Sequence, residues 1–438
     1  MSARAAAWSV AMLCAALAGC RAATRETVLR FWAMGHEGEV VQPLVREFER
    51  MHPGVRVEVQ QIPWGAAHEK LLTAFVGRAS PDLAQLGNSW IAEFEELKAL
   101  EPLDARIARS QVVSAANDFP GIWQTNVVDG VTWGVPWYVD TRLVFYRRDL
   151  LRAAGYDSMP QSWPAWKDAM RAIVRRGGSG RTALLLPVNE WEQPVIFALE
   201  CGAPLLADRA TRGDFQEPRF RRAFEFYLSL FRDGLAPPVS NNQVANIYQE
   251  FARGTFAMDI TGPWNLDEFR KRLPDSLQGA WSTAPMPGPD GPATGLSMAG
   301  GSSLVMFRGS AHPDLAWALL EYLSRPEQQL KFWQLSGDLP ARRAAWDDPA
   351  LAGDPRARAF MVQLSRVTSP PRLPEWEQIA QLVQQHAETA VRGAATPDQA
   401  LAALDRDADR VLEKRRWLVQ HARGAGAGAP ATPAGSAR

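Results

Sequence analysis

Four short stretches of this 438-residue chain set polar and aromatic side chains close enough together to serve chemistry. His36 and Glu37 follow a β-rich run, Gly87-Asn88-Ser89-Trp90 follows another, and Asn189-Glu190-Trp191-Glu192-Gln193 crowds amides, acids and a ring together. A fourth, Trp137-Tyr138-Val139-Asp140, ends on a carboxylate; in a strand its two rings point to opposite sides, so one at most faces a cleft. Hydrogen-bonding groups beside flat rings suit a ligand that is polar on its edges and apolar on its faces. The 17 tryptophans agree with this, because a core rarely needs so many, although most are expected to be packing. Other chemistries are excluded. His36-Glu37 and His68-Glu69 lack a second histidine at ligand spacing, so no metal site is expected. No lysine follows a glycine, so no phosphate loop forms, and neither catalytic residues nor a cofactor are assigned.

The elements that must position these residues alternate from Thr27. Thr27 to Trp32 reads as a strand, and Glu39 to Met51 as a helix with Val40, Val41, Leu44, Val45 and Phe48 on one face. Val55 to Gln60 alternates as a half-buried strand, Ala66 to Val76 is helical, Pro81 to Leu86 is a third strand and Ile91 to Leu97 a third helix. This β-α-β-α-β-α order predicts a largely parallel sheet whose ligand lies beyond the carboxyl ends of the strands. Further on, Leu143 to Arg147 and Gly301 to Phe307 read as strands, and Trp163 to Arg176, Glu217 to Phe231 and Pro313 to Leu323 as helices. The Pro- and Gly-rich Trp281 to Gly295 looks like an inter-domain connection, and a last helix is expected over Thr396 to His421.

Charge is balanced, 48 basic against 48 acidic residues, so no overall field favours nucleic acid. Met1 to Gly19 carries Arg4 and an apolar run, Ala5 to Ala18, too short to span a bilayer, ending in Leu17-Ala18-Gly19-Cys20. This fits an export signal, and Cys20 sits where a bacterial lipoprotein is acylated; more than one acyl chain would hold the protein on a membrane. With Cys14 removed and Cys20 lipidated, Cys201 is alone, so no disulfide framework is expected.

In order, these segments resemble the extracellular solute-binding proteins of ABC-type sugar importers, the group of the maltose-, trehalose- and glycerol-3-phosphate-binding proteins. The likeness runs over nearly all of residues 27–422. It rests on Pro81-Asp82-Leu83, Pro102-Leu103-Asp104, the Gly134-Val135-Pro136 strand that leads to Tyr146-Arg147-Arg148-Asp149-Leu150, Phe251-Ala252-Arg253-Gly254 to Met258, Gly262-Pro263-Trp264, Gly300-Gly301-Ser302, and Gly337-Asp338-Leu339-Pro340-Ala341-Arg342. The resemblance implies an α/β, two-lobed periplasmic-binding-protein-like fold with the ligand cleft between lobes joined by hinge strands. It divides the chain into a signal peptide (1–19), a lipidated N-terminus and linker (20–26), a first lobe (27–139 and 299–341), a second lobe (140–298 and 342–422) and a disordered tail (423–438).

It also implies a site. Asp140 lies at the first hinge, where a carboxylate accepts sugar hydroxyls, and Trp264 matches a ring that stacks on a sugar face. Gly301 and Ser302 offer backbone amides, and Arg342 offers paired donors. Asn88, Glu37, Tyr138 or Trp137, and Trp191 complete the candidates. The implied partners are a carbohydrate, the permease subunits of an ABC importer, and a membrane through the lipid anchor only, on a periplasmic or extracellular face. The protein is expected to be non-enzymatic and monomeric. The same fold binding a glycerol phosphodiester or polyamine is the alternative, and a secreted glycoside hydrolase, which also pairs carboxylates with tryptophans, is the remote one.

Overall fold

The computed structural model describes residues 26–178 and 180–426. Cys20, the signal segment and residues 427–438 lie outside them.

The strands used below are β1 (Thr27–Met34), β2 (Val55–Ile62), β3 (Leu83–Gly87), β4 (Val135–Asp140), β5 (Leu143–Arg147), β6 (Leu184–Leu185), β7 (Met258–Thr261), β8 (Trp281–Ala284), β9 (Ser297–Met298), β10 (Gly300–Met306), β11 (Leu339–Pro340) and β12 (Val367–Thr368). The helices that carry the argument are α1 (Gly35–Val40), α2 (Gln42–Met51), α3 (Trp64–Val76), α4 (Glu192–Glu200), α5 (Asn265–Arg272), α6 (Pro326–Ser336) and α7 (Trp376–Val391). Ten of these strands build two sheets, one of six in the order β11-β4-β10-β3-β1-β2 and one of four in the order β8-β5-β7-β6, while β9 pairs in parallel with β12.

The first sheet is parallel only at β2-β1-β3, the part whose βαβ rhythm is plain in the sequence. β10, β4 and β11 join antiparallel, so the expected largely parallel sheet is in fact mixed. Inner strands of such a sheet are covered on both faces. In β1, Leu29, Phe31 and Ala33 enter one buried cluster with Val45, Phe48 and Trp317, while Trp32 and Met34 enter another with Leu71, Leu86 and Phe94. The predicted helix over Glu39 to Met51 is two helices meeting at Val41, because Pro43 sits in the first turn of α2 and supplies no N–H to a continuous ladder.

The second sheet sends Val144 into a large cluster with Trp163, Trp166, Phe197 and Trp376, and turns Leu143 and Phe145 the other way. There they meet Phe269 and Trp281, together with Phe119, Val139, Leu339 and Trp346 from segments around the first sheet. One apolar cluster therefore spans both sheets. Trp281–Ala284 is a strand paired with β5, not a connection, because Trp281 is a core side chain rather than part of the Pro/Gly-rich loop that follows it. The expected helix over Thr396 to His421 is Pro397–Val411 followed by Glu413–Gly426, so helix continues four residues into the stretch read as a disordered tail.

The chain passes between sheets where β4 ends at Asp140 and β5 begins at Leu143, and again where β8 leads through β9 to β10. Gly300 pairs with Asp140 and Gly301 with Val139 at this crossing. Gly301 has φ +127°, and a Cβ there would stand 2.3 Å from the Tyr138 carbonyl oxygen, so only glycine lets the two strands approach.

Candidate ligand-binding cleft

A cleft of about 890 Å³ lies between the two sheets. Its size is that of a small-molecule site. On the first sheet's side it is lined from the ends of strands and the starts of helices, as open α/β sheets dictate: Glu37 opens α1 after β1, Trp64 opens α3 after β2, and Asn88 to Trp90 follow β3. Trp191 and Glu192 at the start of α4, and Trp264, Glu268 and Arg272 on or beside α5, form the opposite wall. Four tryptophans line it. Trp64 and Trp264 are 38% and 36% exposed, large apolar rings left open to a cavity rather than packed. Trp90 meets Trp64 edge to face at 5.7 Å, and Trp191 meets the buried Trp376 at 5.8 Å.

Polar groups beside these rings are held in two networks. On the first wall the Tyr138 hydroxyl donates to Glu37 Oε1 at 2.7 Å and accepts from Gln85 Nε2 and Ser302 Oγ, each at 3.0 Å. The Trp64 indole N–H donates to the same Glu37 oxygen at 3.3 Å. Burial first, then the nearby Glu37 and Asp338 carboxyls, push the Tyr138 hydroxyl well above its usual range, so it stays a donor.

The second network centres on Arg142, which crosses between the sheets. Its Nη1 donates to both oxygens of Asp140, at 2.8 and 3.0 Å, and its Nη2 to Glu192 at 3.2 Å. The guanidinium also lies over the Trp264 ring, 4.5 Å from the centroid. Burial alone would pull the guanidinium pKa down, but Asp140, Glu192 and Glu190 outweigh it and raise it. Burial lifts Glu192 above the usual carboxylate range against the pull of Arg142, and lifts the nearby Asp259 to about 8. Trp264 itself lies flat on Gly262, where a Cβ would fall 1.8 Å from the ring.

Residues 35–330 match the family of bacterial extracellular solute-binding proteins. The chain belongs to that family. A sugar-binding protein from Xanthomonas citri is 49% identical in a structure that covers 90% of this chain and 99% of its own, with a TM-score of 0.86. A galactooligosaccharide-binding protein of Bacillus subtilis is 23% identical over 415 residues, 90% of this chain and 94% of its own. An uncharacterized lipoprotein of Streptomyces antibioticus is 26% identical over 361 residues, 78% of this chain and 77% of its own. The fold of this solute-binding protein is thus the two-lobed α/β one, and its role is substrate binding. Among the described residues no helix is long and apolar enough to cross a membrane.

This cleft gathers most of the residues singled out from sequence. Asp140, Trp264, Gly301, Ser302, Asn88, Glu37, Tyr138 and Trp191 all line it. Their availability differs. The Ser302 hydroxyl is spent within the Tyr138 network, and Asn88 accepts from Ser303 Oγ at 2.9 Å while its own Nδ2 is sealed from the cavity. Two expectations are corrected. Trp137 is fully buried and stacks on Phe332 at 4.2 Å, since strand alternation gives the cleft side to Tyr138. Arg342 is 4% exposed, outside the cleft, and paired with Asp118. Sequence reasoning passed over Arg142, Trp64 and Asp338. Arg142 carried a signal, since it stands two residues beyond Asp140 at the crossing, and a charge two places on in extended chain shares a side with the first.

Proposed function

We propose that this protein is the carbohydrate-capturing component of an ABC importer, which binds a di- or oligosaccharide between its lobes and delivers it unchanged to the membrane permease. The observation that carries this reading is the convergence of four tryptophan side chains with Glu37, Asp140 and Glu192 in a single cleft. A sugar ring presents an apolar C–H face and a rim of hydroxyls, and rings beside carboxylates satisfy both. The Xanthomonas and Bacillus relatives, which bind sugar and galactooligosaccharides, support the same ligand class. Ligand contacts to both walls favour the closed arrangement, with the crossings near Asp140 and Gly300 taking up the change in backbone angle.

A thermal-shift screen over mono-, di- and trisaccharides, with spermidine and glycerophosphocholine alongside, tests the reading. A saccharide is expected to raise the melting temperature, because it binds only the folded state. Trp264→Ala should then weaken that saccharide by about tenfold to a hundredfold, on the order of 1–3 kcal/mol of lost ring contact. Response to spermidine or glycerophosphocholine alone would overturn the sugar assignment within the same fold.

We further propose that Cys20 carries a lipid anchor that holds the monomer on the outer side of a membrane. Leu17-Ala18-Gly19-Cys20 and the likeness to the Streptomyces lipoprotein support it. Cys20→Ala is expected to move the protein from the detergent phase to the soluble extracytoplasmic fraction; unchanged partitioning would refute the anchor.

A further inference from the structure

Among the described residues, the cleft carboxyl of Asp338 makes no side-chain hydrogen bond or ion pair within normal distance, and it shares this only with Glu377 on the same cleft. Asp338 lies between α6 and β11, directly after Gly337, whose φ of +83° ends the helix and redirects the chain. It is 7% exposed, and its side chain lines the cleft. Its backbone N–H donates to Ser336 Oγ at 3.0 Å, and that hydroxyl in turn lies 2.8 Å from the Phe332 carbonyl, which competes for its one hydrogen. The nearby cations are committed elsewhere: Arg142 to Asp140 and Glu192, and Arg372 to the backbone carbonyls of Gln124 and Val127, both at 2.6 Å. The carboxyl oxygens are not among the unpartnered atoms sealed from solvent, so they open onto the cleft.

An unmet carboxyl this deeply buried costs stability in the empty protein, and a ligand that satisfies it recovers that cost. On the carbohydrate reading above, we propose that Asp338 is a specificity-determining ligand contact. Its carboxyl donates one hydrogen bond to, and accepts another from, the hydroxyls of one sugar residue.

The charged surroundings support this. Glu37 on α1 and Asp140 at the end of β4 are the charged groups that act on it, both acidic, while the Tyr138 hydroxyl points its hydrogen at Glu37. Burial, and then Glu37, push the Asp338 carboxyl well above the usual carboxylate range against a smaller pull from the Ser336 hydroxyl, and so favour its protonated form. A neutral carboxyl has one donor and spare acceptor capacity, the same pairing that a sugar hydroxyl offers in return. Glu37 already accepts from Tyr138 and Trp64. The two side by side define a spot where a hydroxyl fits and a hydrogen or methyl group leaves polar atoms unpaired. Sites of this kind discriminate strongly against the analogue that lacks the hydroxyl.

The test is calorimetric titration of maltose, trehalose, lactose and maltotriose into wild type, Asp338→Ala and Asp338→Asn. Alanine adds no atoms and removes an unsatisfied group, so the empty variant is expected to melt no lower than wild type. For whichever saccharide binds wild type, alanine should weaken affinity by about tenfold or more, and asparagine, which also donates and accepts, should stay within about threefold. Wild-type affinity in the alanine variant would overturn the assignment, as would an asparagine variant that folds yet binds as poorly as alanine. If none of the four sugars binds wild type while spermidine or glycerophosphocholine does, the carbohydrate reading fails first and this role for Asp338 falls with it.

Discussion

Arg342→Met is expected to cost about 3–5 kcal/mol of folding stability at pH 8 while leaving ligand affinity nearly unchanged. Arg342 is held on three sides: its backbone N–H donates to Gln329 Oε1 at 2.8 Å, Nη2 to the Val112 carbonyl, and Nη1 to Asp118 Oδ2 at 3.3 Å. Asp118 is fully buried, and its other oxygen has no partner. Burial raises its carboxyl from 3.8 to about 7 even though Arg342 pulls the other way. A carboxyl whose pKa is raised by folding favours the native state below the unfolded value and loses that contribution as pH climbs through the folded one. Wild-type stability should therefore decline between about pH 4 and 7 from this residue. Without the guanidinium the folded pKa rises further, so the decline continues above pH 7, and the penalty of the variant is smaller at pH 5 than at pH 8. Asp118→Asn should flatten the slope between pH 4 and 7. Urea denaturation at several pH values reads all three. A penalty below about 1 kcal/mol at pH 8, or an unchanged slope in Asp118→Asn, would show that the pair does not carry this load.

Arg142→Met should damage both stability and binding. Arg142 is the cation shared by Asp140 and Glu192, and it also lowers the raised carboxyl of Asp259. Its loss leaves these acids facing one another with burial already lifting Glu192 and Asp259. A cost of about 3 kcal/mol is expected at pH 8, toward the low end for a broken buried pair because Asp140 and Glu192 still reach cleft water. Both cited carboxyls have raised folded values, so the same sign applies: the variant should recover stability as pH falls and they take up protons. Affinity should drop about tenfold to a hundredfold, since Asp140 loses the fork that orients it and Trp264 the cation over its ring. Combined with Trp264→Ala, the losses should be less than additive, because the two side chains touch. A variant as stable as wild type that binds equally well would show that Arg142 neither holds the acids nor orients the site.

Local pattern was enough to read the βαβ opening, the strand that ends in Asp140, and the family motifs that imply two lobes, because hydrophobic period and turn residues act over a few neighbours. The antiparallel half of the first sheet was not legible, since β10 and β11 join it from far along the chain and pairing partners leave no local periodicity. The same distinction runs through the cleft. Asp140 and Trp264 were marked by the motifs around them, while the choice between Trp137 and Tyr138 turned on which of the two lines the cavity. The exchange of Arg342 for Arg142 was decided only by tertiary structure: Arg342, just past β11, meets a buried aspartate, and Arg142, between β4 and β5, meets the cleft acids. Asp338 shows the limit most sharply. Its motif was visible, but its direction was set by the left-handed turn at Gly337, beside a Ser336 hydroxyl whose one hydrogen the Phe332 carbonyl competes for. Sequence by itself determined the opening strands and helices and the motifs that mark the family, because both are written in short runs of neighbouring residues. Only the tertiary structure decided which side chains face the cleft, because in loops that direction follows from neighbours distant in the chain.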